Sequence, residues 1–315
     1  MKILVYGAGV LGSYLAHVLH RSGNDVTLLA RGRRLSELQE NGLIIRHYAQ
    51  CRTTTDTIAL TDRFGRDDAY DIVFVVVRRN QIDSILAELC ENIASPLYVL
   101  VGNNPTADTT QRYIDEHSKT PKKVVFGFQM TGGRRENGRV ISIYWGFSRL
   151  AGKMTVGSLN GDISFKPLFE QAFAQTNYSI RYCDNMDAWL KCHAAFVLPV
   201  CFACYCYDGN LKKLARNKSM LYRIIDAIDE GYRIVEACGY PVEPKEDVEF
   251  VRKHRLKCYM FLKFMAATPI GKLAASDHAM SAKDEMRRLY DDFCLLKEKT
   301  NIDTPAWDEL AQYMV

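Results

Sequence analysis

The sequence predicts an α/β protein in two parts: a doubly wound parallel sheet over residues 1–183, then an all-α domain over residues 184–315. Three observations predict it. Apolar, β-branched runs of five or six residues alternate with helical patterns through the first half, the mark of successive βαβ units. The run Ile72-Val73-Phe74-Val75-Val76-Val77 is apolar throughout, as expected of a strand buried on both faces. From Asp184 onward the strand-like runs give way to long helical periodicities.

Residues 2–6 form the first strand run. It feeds into Gly7-Ala8-Gly9-Val10-Leu11-Gly12, a complete G-x-G-x-x-G. A helical pattern over 13–20 follows, closed by Gly23 in the role of a helix end, and 26–30 is the second strand. Strand, glycine turn and helix in this order make a Rossmann-like dinucleotide fingerprint. Gly7 permits the tight turn, Gly9 lets the backbone approach a pyrophosphate, and Gly12 lets helix and strand pack closely. The pyrophosphate is expected at the helix N-terminus, framed by Gly9, Val10, Leu11 and Gly12, where free N–H groups favour anions. The plainer alternative is a glycine-rich turn without a ligand.

The end of the second strand bears on which dinucleotide. NAD sites usually carry an acid there for the ribose 2′-hydroxyl. Here the strand runs into Arg31-Gly32-Arg33-Arg34 with no acid. Three guanidiniums suit a 2′-phosphate, so NADP(H) is expected, with Arg31 as the main contact. The alternative is a solvated basic loop.

Further strands are expected over 72–77, 97–101 and 124–128, with helices over 81–89 and 107–117. Strand-like stretches over 139–144 and 153–156, with turn signals at Gly132-Gly133 and Gly138, suggest a closing antiparallel hairpin. Ligands bind beyond the carboxyl ends of such strands. One end reads Arg78-Arg79-Asn80-Gln81, which suits the cofactor or a substrate carboxylate. Another reads Gly102-Asn103-Asn104-Pro105, which suits the nicotinamide ribose or substrate. Both also read as an ordinary turn and helix start.

In the second half, helices are expected over 186–198, 211–238, 244–264 and 282–299, and the substrate cleft between the two domains. Lys191 is the only permanent charge beyond the first turn of an otherwise apolar helix. Burial disfavours a charged amine, and reduction of a ketone needs a proton donor to its oxygen. The competing reading is a lysine that reaches out to water.

Composition excludes several classes. Net charge is +4, with 41 basic against 37 acidic residues, too balanced to argue for nucleic acid. The longest apolar run, 194–207, carries Pro199 and suits a buried helix, not a membrane span. Lys2 opens the first strand directly, so no signal peptide is expected. Ten cysteines then imply a reducing cytoplasm and free thiols. Cys201, Cys204 and Cys206 lack a second pair at zinc spacing and read as buried thiols, so no metal is expected. The sequence leaves open whether Cys192 and His193 tune Lys191.

Together these residues resemble the 2-dehydropantoate 2-reductase, or ketopantoate reductase, family along nearly the whole chain. The fingerprint is followed by Arg31, and a short helix by Asn41-Gly42-Leu43. Arg78 stands with Gln81 three positions later. Asn103 follows the next strand, Trp189-Leu190-Lys191 matches Trp-x-Lys, and Asp284-Glu285-Met286-Arg287 leads on to Thr304-Pro305. The resemblance implies NADPH-dependent reduction of a small 2-oxo acid. It makes Lys191 the general acid, Glu285 its partner or a substrate-orienting group, and Asn103 a positioning group. Arg78 and Gln81 serve the cofactor, and a homodimer is allowed.

Departures from the family are specific. Arg78 replaces the usual lysine and cannot give up its proton. Ala195 and Pro199 stand four and eight residues after Lys191, where the family has asparagines, and Pro199 is expected to end or kink the helix. Leu273 stands where the family's substrate-binding serine falls, with Ser276 nearby. Ser281 with Asp284 resembles a capping box, which gives Glu285 a structural reading too. Dehydropantoate is the leading substrate. The rivals are another, less polar ketone, a hydroxy acid oxidised in the reverse direction, and a non-catalytic NADP(H) sensor.

Overall fold

Valine, isoleucine, leucine and aromatic residues fill the central strands, and the chain winds between them through helices. The first unit comprises Met1–Gly102 and Ala107–Met186; the second comprises Asn103–Thr106 and Asp187–Val315. This is a computed structural model, and it describes every residue except Trp145, Phe147, Arg149 and Val315.

Chain order in the first unit is Lys2–Tyr6 (β1), Val10–Arg21 (α1), Asp25–Leu29 (β2), Gly32–Asn41 (α2), Leu43–His47 (β3), Arg52–Asp56 (β4), Ala59–Thr61 (β5), Ile72–Val75 (β6), Arg79–Glu91 (α3), Leu97–Val101 (β7), Ala107–His117 (α4), Lys123–Gln129 (β8), Thr131–Glu136 (β9), Arg139–Tyr144 (β10), Ala151–Gly157 (β11), Lys166–Ala172 (α5) and Asn177–Tyr182 (β12). Eight strands form one sheet in the order β12-β11-β8-β7-β6-β1-β2-β5. Every neighbouring pair is parallel except β8–β11. β6 and β7 are buried at every position, as their unbroken apolar runs require.

A second sheet, ordered β4-β3-β10-β9, was not foreseen. The expected hairpin between 139–144 and 153–156 does not form. β10 pairs antiparallel with β9, whereas β11 joins the large sheet between β8 and β12. The turn signal that decides this is Asn137-Gly138, both at positive φ (50° and 74°). That is the geometry of a two-residue hairpin turn.

The second unit is helical: Met186–Cys206 (α6), Leu211–Leu214 (α7), Lys218–Ala237 (α8), Lys245–Arg252 (α9), Arg255–Ala267 (α10), Pro269–Gly271 (α11), a π-helical turn Lys272–Ser276, Asp277–Ser281 (α12), Lys283–Lys297 (α13) and Pro305–Ala311 (α14). Its core includes Phe202 and Phe293, which meet Trp307 edge-on and stacked, at 5.6 and 4.8 Å between ring centres. Buried Glu230 of α8 accepts from the backbone N–H groups of Ala306 and Trp307 (3.1 and 2.7 Å) and so caps α14.

Pro199 does not end α6, which continues to Cys206. Proline leaves the Ala195 carbonyl without its intrahelical donor. Tertiary packing outweighs that loss, because α6 is apolar nearly all round. α6 is long and apolar enough to cross a membrane by composition, yet 72% of its most apolar stretch is buried against protein. The expected helix 211–238 divides at Asn217, whose side chain accepts from Met220 N–H (3.0 Å) and starts α8. The expected 244–264 divides into α9 and α10. Ser281 does not cap α13: the cap position is Ala282, without a side-chain bond.

Candidate functional site

The glycine turn after β1 has three different reasons for its three glycines. A Cβ on Gly7, whose φ is 115°, would lie 2.3 Å from the Val76 carbonyl oxygen. A Cβ on Gly12 would lie 1.9 Å from the Gly7 carbonyl oxygen. Neither position tolerates a side chain, because turn, helix and β6 meet there. A Cβ on Gly9 would meet nothing within 4 Å. The backbone at Gly9 therefore borders open space at the N-terminus of α1. No side chain caps that helix. Its first N–H groups, from Val10 onward, suit a pyrophosphate. The residues present fit a dinucleotide.

The three arginines after β2 do different things. Arg34 is buried: Nε donates to the Ala8 carbonyl (3.2 Å), Nη1 to the Gly138 carbonyl (2.8 Å) and Nη2 to Ser13 Oγ (3.3 Å). It ties the glycine turn to the β9–β10 turn and is not offered to a phosphate, which corrects the expectation of three phosphate-facing guanidiniums. Arg33 is 92% exposed and pairs with Glu37 (3.0 Å). Arg31 is half-exposed. Its Nη2 donates to both carboxylate oxygens of Glu88 on α3 (2.8 and 2.9 Å), and its Nε to the Asp62 carbonyl (2.9 Å).

The guanidinium of Arg31 also lies over the Tyr6 ring, 5.3 Å from its centre. The Tyr6 hydroxyl in turn donates to Glu88 Oε2 (2.7 Å). Burial and the neighbouring carboxylate push that hydroxyl's pKa up, so it stays a donor. Reading the end of β2 alone missed Glu88, because it reaches Arg31 from 57 residues further along the chain.

Arg78 is exposed at the start of α3. Its backbone N–H meets Gln81 Oε1 (3.3 Å), and Gln81 N–H donates back to the Arg78 carbonyl (2.9 Å). Gln81 thus closes the first turn of α3, and its side chain is exposed beside Arg78.

In the second unit, Lys191 is 2% exposed. Its ammonium pairs with Asp187, one turn earlier on α6, and lies over the Tyr240 ring (4.5 Å). A buried ammonium needs such a counter-ion. Its chain neighbours bring no charge at neutral pH. Burial pushes the Cys192 thiol up to about 12 and the His193 imidazole down to about 4, and His193 stacks on Trp189 (5.1 Å). The structure brings Asn103 and Glu285 together: Asn103 Nδ2 donates to Glu285 Oε1 (3.4 Å), and both are buried. His278 Nε2 lies 3.3 Å from Glu285 Oε2. The Asn103 amide oxygen is buried with no hydrogen-bond partner among the described residues. Such an orphaned acceptor suits a ligand donor. Lys191 bonds to neither Asn103 nor Glu285; its partners are Asp187 and Tyr240.

Cys201, Cys204 and Cys206 are free thiols, and burial holds the Cys204 thiol up at about 12. No group of three metal-ligating side chains occurs among the described residues.

The family model described as ketopantoate reductase PanE/ApbA matches residues 3–161, half of the chain. The chain belongs to the ketopantoate reductase family. Among curated relatives of this family member, the 2-dehydropantoate 2-reductase of Pyrococcus horikoshii is 32% identical over 97 residues, covering 27% of this chain and 32% of the relative. An uncharacterized oxidoreductase of Bacillus subtilis, YkpB, is 49% identical over 89 residues, 28% of each chain. The aligned regions span about a third of the length of the curated relatives. A ketopantoate reductase structure from Ralstonia eutropha matches the fold with a TM-score of 0.76 at 16% identity, covering 100% of this chain and 97% of that one. D-mandelate dehydrogenase, bound to NADH and anilino(oxo)acetate, matches with a TM-score of 0.75 at 17% identity over 100% and 97%.

Within this ketopantoate reductase family member, two of the departures lie at buried, packed positions. Ala195 is fully buried where α6 meets α8. A Cβ on Gly231 would lie 3.0 Å from the Ala195 Cβ and from the Trp307 ring. Ala195 therefore serves a close helix contact, where an asparagine would not fit. Leu273 is buried in the π-helical turn, and Ser276 Oγ donates to the Gly209 carbonyl (3.3 Å).

Proposed function

We propose that this protein reduces a small 2-oxo acid with NADPH, and that 2-dehydropantoate is its first candidate substrate. The observation that carries the reading is Lys191, an ammonium buried on an apolar helix of a ketopantoate reductase family chain. When bound, the nicotinamide supplies hydride to the carbonyl carbon. The chain must then deliver a proton to the carbonyl oxygen, and Lys191 Nζ is the donor. Asp187 holds that ammonium in place between turnovers. Glu285 and Asn103 orient the substrate, with the unpaired Asn103 oxygen accepting from it. Gly9 and the first turn of α1 take the pyrophosphate, Arg31 the 2′-phosphate, and Arg78 with Gln81 the adjoining part of the cofactor.

A second reading, reduction of a less polar 2-oxo acid, is supported by Leu273, which is apolar and buried at a position that the family resemblance makes polar. NADPH oxidation followed by absorbance, with 2-dehydropantoate beside a panel of 2-oxo acids, separates the two. Turnover of dehydropantoate supports the first, turnover of an apolar 2-oxo acid alone the second, and NADPH binding without any turnover removes both. In the active case, K191A should lower kcat by roughly a hundredfold or more with NADPH affinity retained. An unchanged kcat would remove Lys191 from the mechanism.

A further inference from the structure

We propose that Glu88 sets how strongly this protein prefers NADPH over NADH, by competing for Arg31 with the phosphate that Arg31 is placed to bind. The inference rests on the cofactor reading above and concerns a residue far from the glycine turn in sequence. Arg31 is the guanidinium at the end of β2, where the adenosine ribose of a dinucleotide is recognised. It is not idle. One of its terminal nitrogens is committed to both oxygens of Glu88, at 2.8 and 2.9 Å.

Glu88 is itself fixed from two other sides. The Tyr6 hydroxyl donates to Oε2 (2.7 Å) and the Phe64 backbone N–H to Oε1 (3.3 Å). The Tyr6 ring lies under the guanidinium that Glu88 holds. The carboxylate is thus a built part of the pocket edge, contributed by α3, not a passing surface partner.

Two consequences follow from charge alone. A 2′-phosphate arriving at Arg31 must compete with a carboxylate already bonded to it. It must also settle beside that carboxylate, and like charges at such distances repel. A ribose 2′-hydroxyl meets neither cost and can donate to a carboxylate oxygen, as it does where an acid ends the second strand. Glu88 therefore narrows the advantage that Arg31 gives to NADPH and makes NADH a competent ligand.

The test is equilibrium binding of NADPH and of NADH to the full chain, read from nucleotide fluorescence at one fixed ionic strength. In Glu88→Gln the acid is gone but the shape remains. NADPH should bind about fivefold more tightly and NADH no better, so that the ratio of the two dissociation constants rises. Glu88→Asp keeps the charge but withdraws it by one methylene from Arg31. It should raise the ratio less, and it serves as the reporter if the glutamine variant fails to fold. Glu91→Gln, which removes a surface partner of Lys119 on the same helix, should leave the ratio at its wild-type value. An unchanged ratio in the Glu88 variants, or equal tightening of both nucleotides, overturns the inference. Failure of the wild-type chain to bind either nucleotide would overturn the cofactor reading, and this inference with it.

Discussion

Ala195 shows how a single side chain can be set by its neighbour and not by a ligand. It lies where α6 packs closely on α8, opposite Gly231, with the Trp307 ring completing the contact. The Ala195–Gly231 pair lets two helices meet backbone to backbone, which a larger residue on either side would prevent. Replacing Ala195 with Asn, the residue the family resemblance calls for, should destabilise the protein by about 2–3 kcal/mol, because it overpacks the contact and buries an amide. Denaturant unfolding of A195N measures this, and a variant of wild-type stability would show that the site has room for a polar group. Lys191 shows the opposite case. Its burial was readable from an apolar helix with one permanent charge beyond its first turn, but its Asp187 and Tyr240 partners follow from helix register and from the chain beyond α8.

At the scale of elements, the β1–α1 turn separates folding from binding. Gly12 is required by the fold, since a methyl group there would overlap the Gly7 carbonyl. Gly9 is open, so a methyl group there would disturb no protein atom but would stand where a phosphate approaches. G9A should keep the wild-type melting temperature and lose NADPH affinity by about tenfold or more, whereas G12A should melt lower. Thermal melts beside NADPH titrations read both; loss of stability in G9A would mean that the open space is not the phosphate site. This part of the fold was legible because each of its signals is local: a strand run, a fixed glycine spacing and a helix start. The β9–β10 hairpin carried an equally local signal, Asn137-Gly138. Gly132-Gly133 and the strand-like stretch at 153–156 competed with it. Pro199 misled because a proline's cost is local, while the burial that overcomes it is spread along all of α6.

At the scale of the molecule, each unit has its own core, and in the first unit the small sheet is tied to α1 by charge. Asp56 of β4 accepts from His17 Nδ1 and from Arg21 Nε, both at 2.5 Å. Burial works to raise the Asp56 pKa, but the His17 and Arg21 bonds outweigh it and hold the carboxyl below its ordinary 3.8. A carboxylate whose pKa is lower when folded stabilises the fold above its unfolded value. That contribution is lost as pH falls through the folded value. Stability should therefore decline as the pH drops below about 3.8, and D56N should be less stable at neutral pH with a flatter acid limb. Chemical denaturation at a series of pH values tests this, and parallel acid limbs would show that Asp56 is not linked to folding.

By itself the sequence determined the α/β class, the order of β1, α1 and β2, the strand ends that carry Arg78 and Asn103, and the family resemblance. All of these rest on residue types at short, fixed spacings. The tertiary structure alone decided three things. Arg34 turns inward to hold the glycine turn. Glu88 comes to lie on Arg31, and Asn103 joins the helical unit to meet Glu285, 182 residues away. Contacts between residues so distant along the chain are set by how whole elements pack, and no local pattern records them.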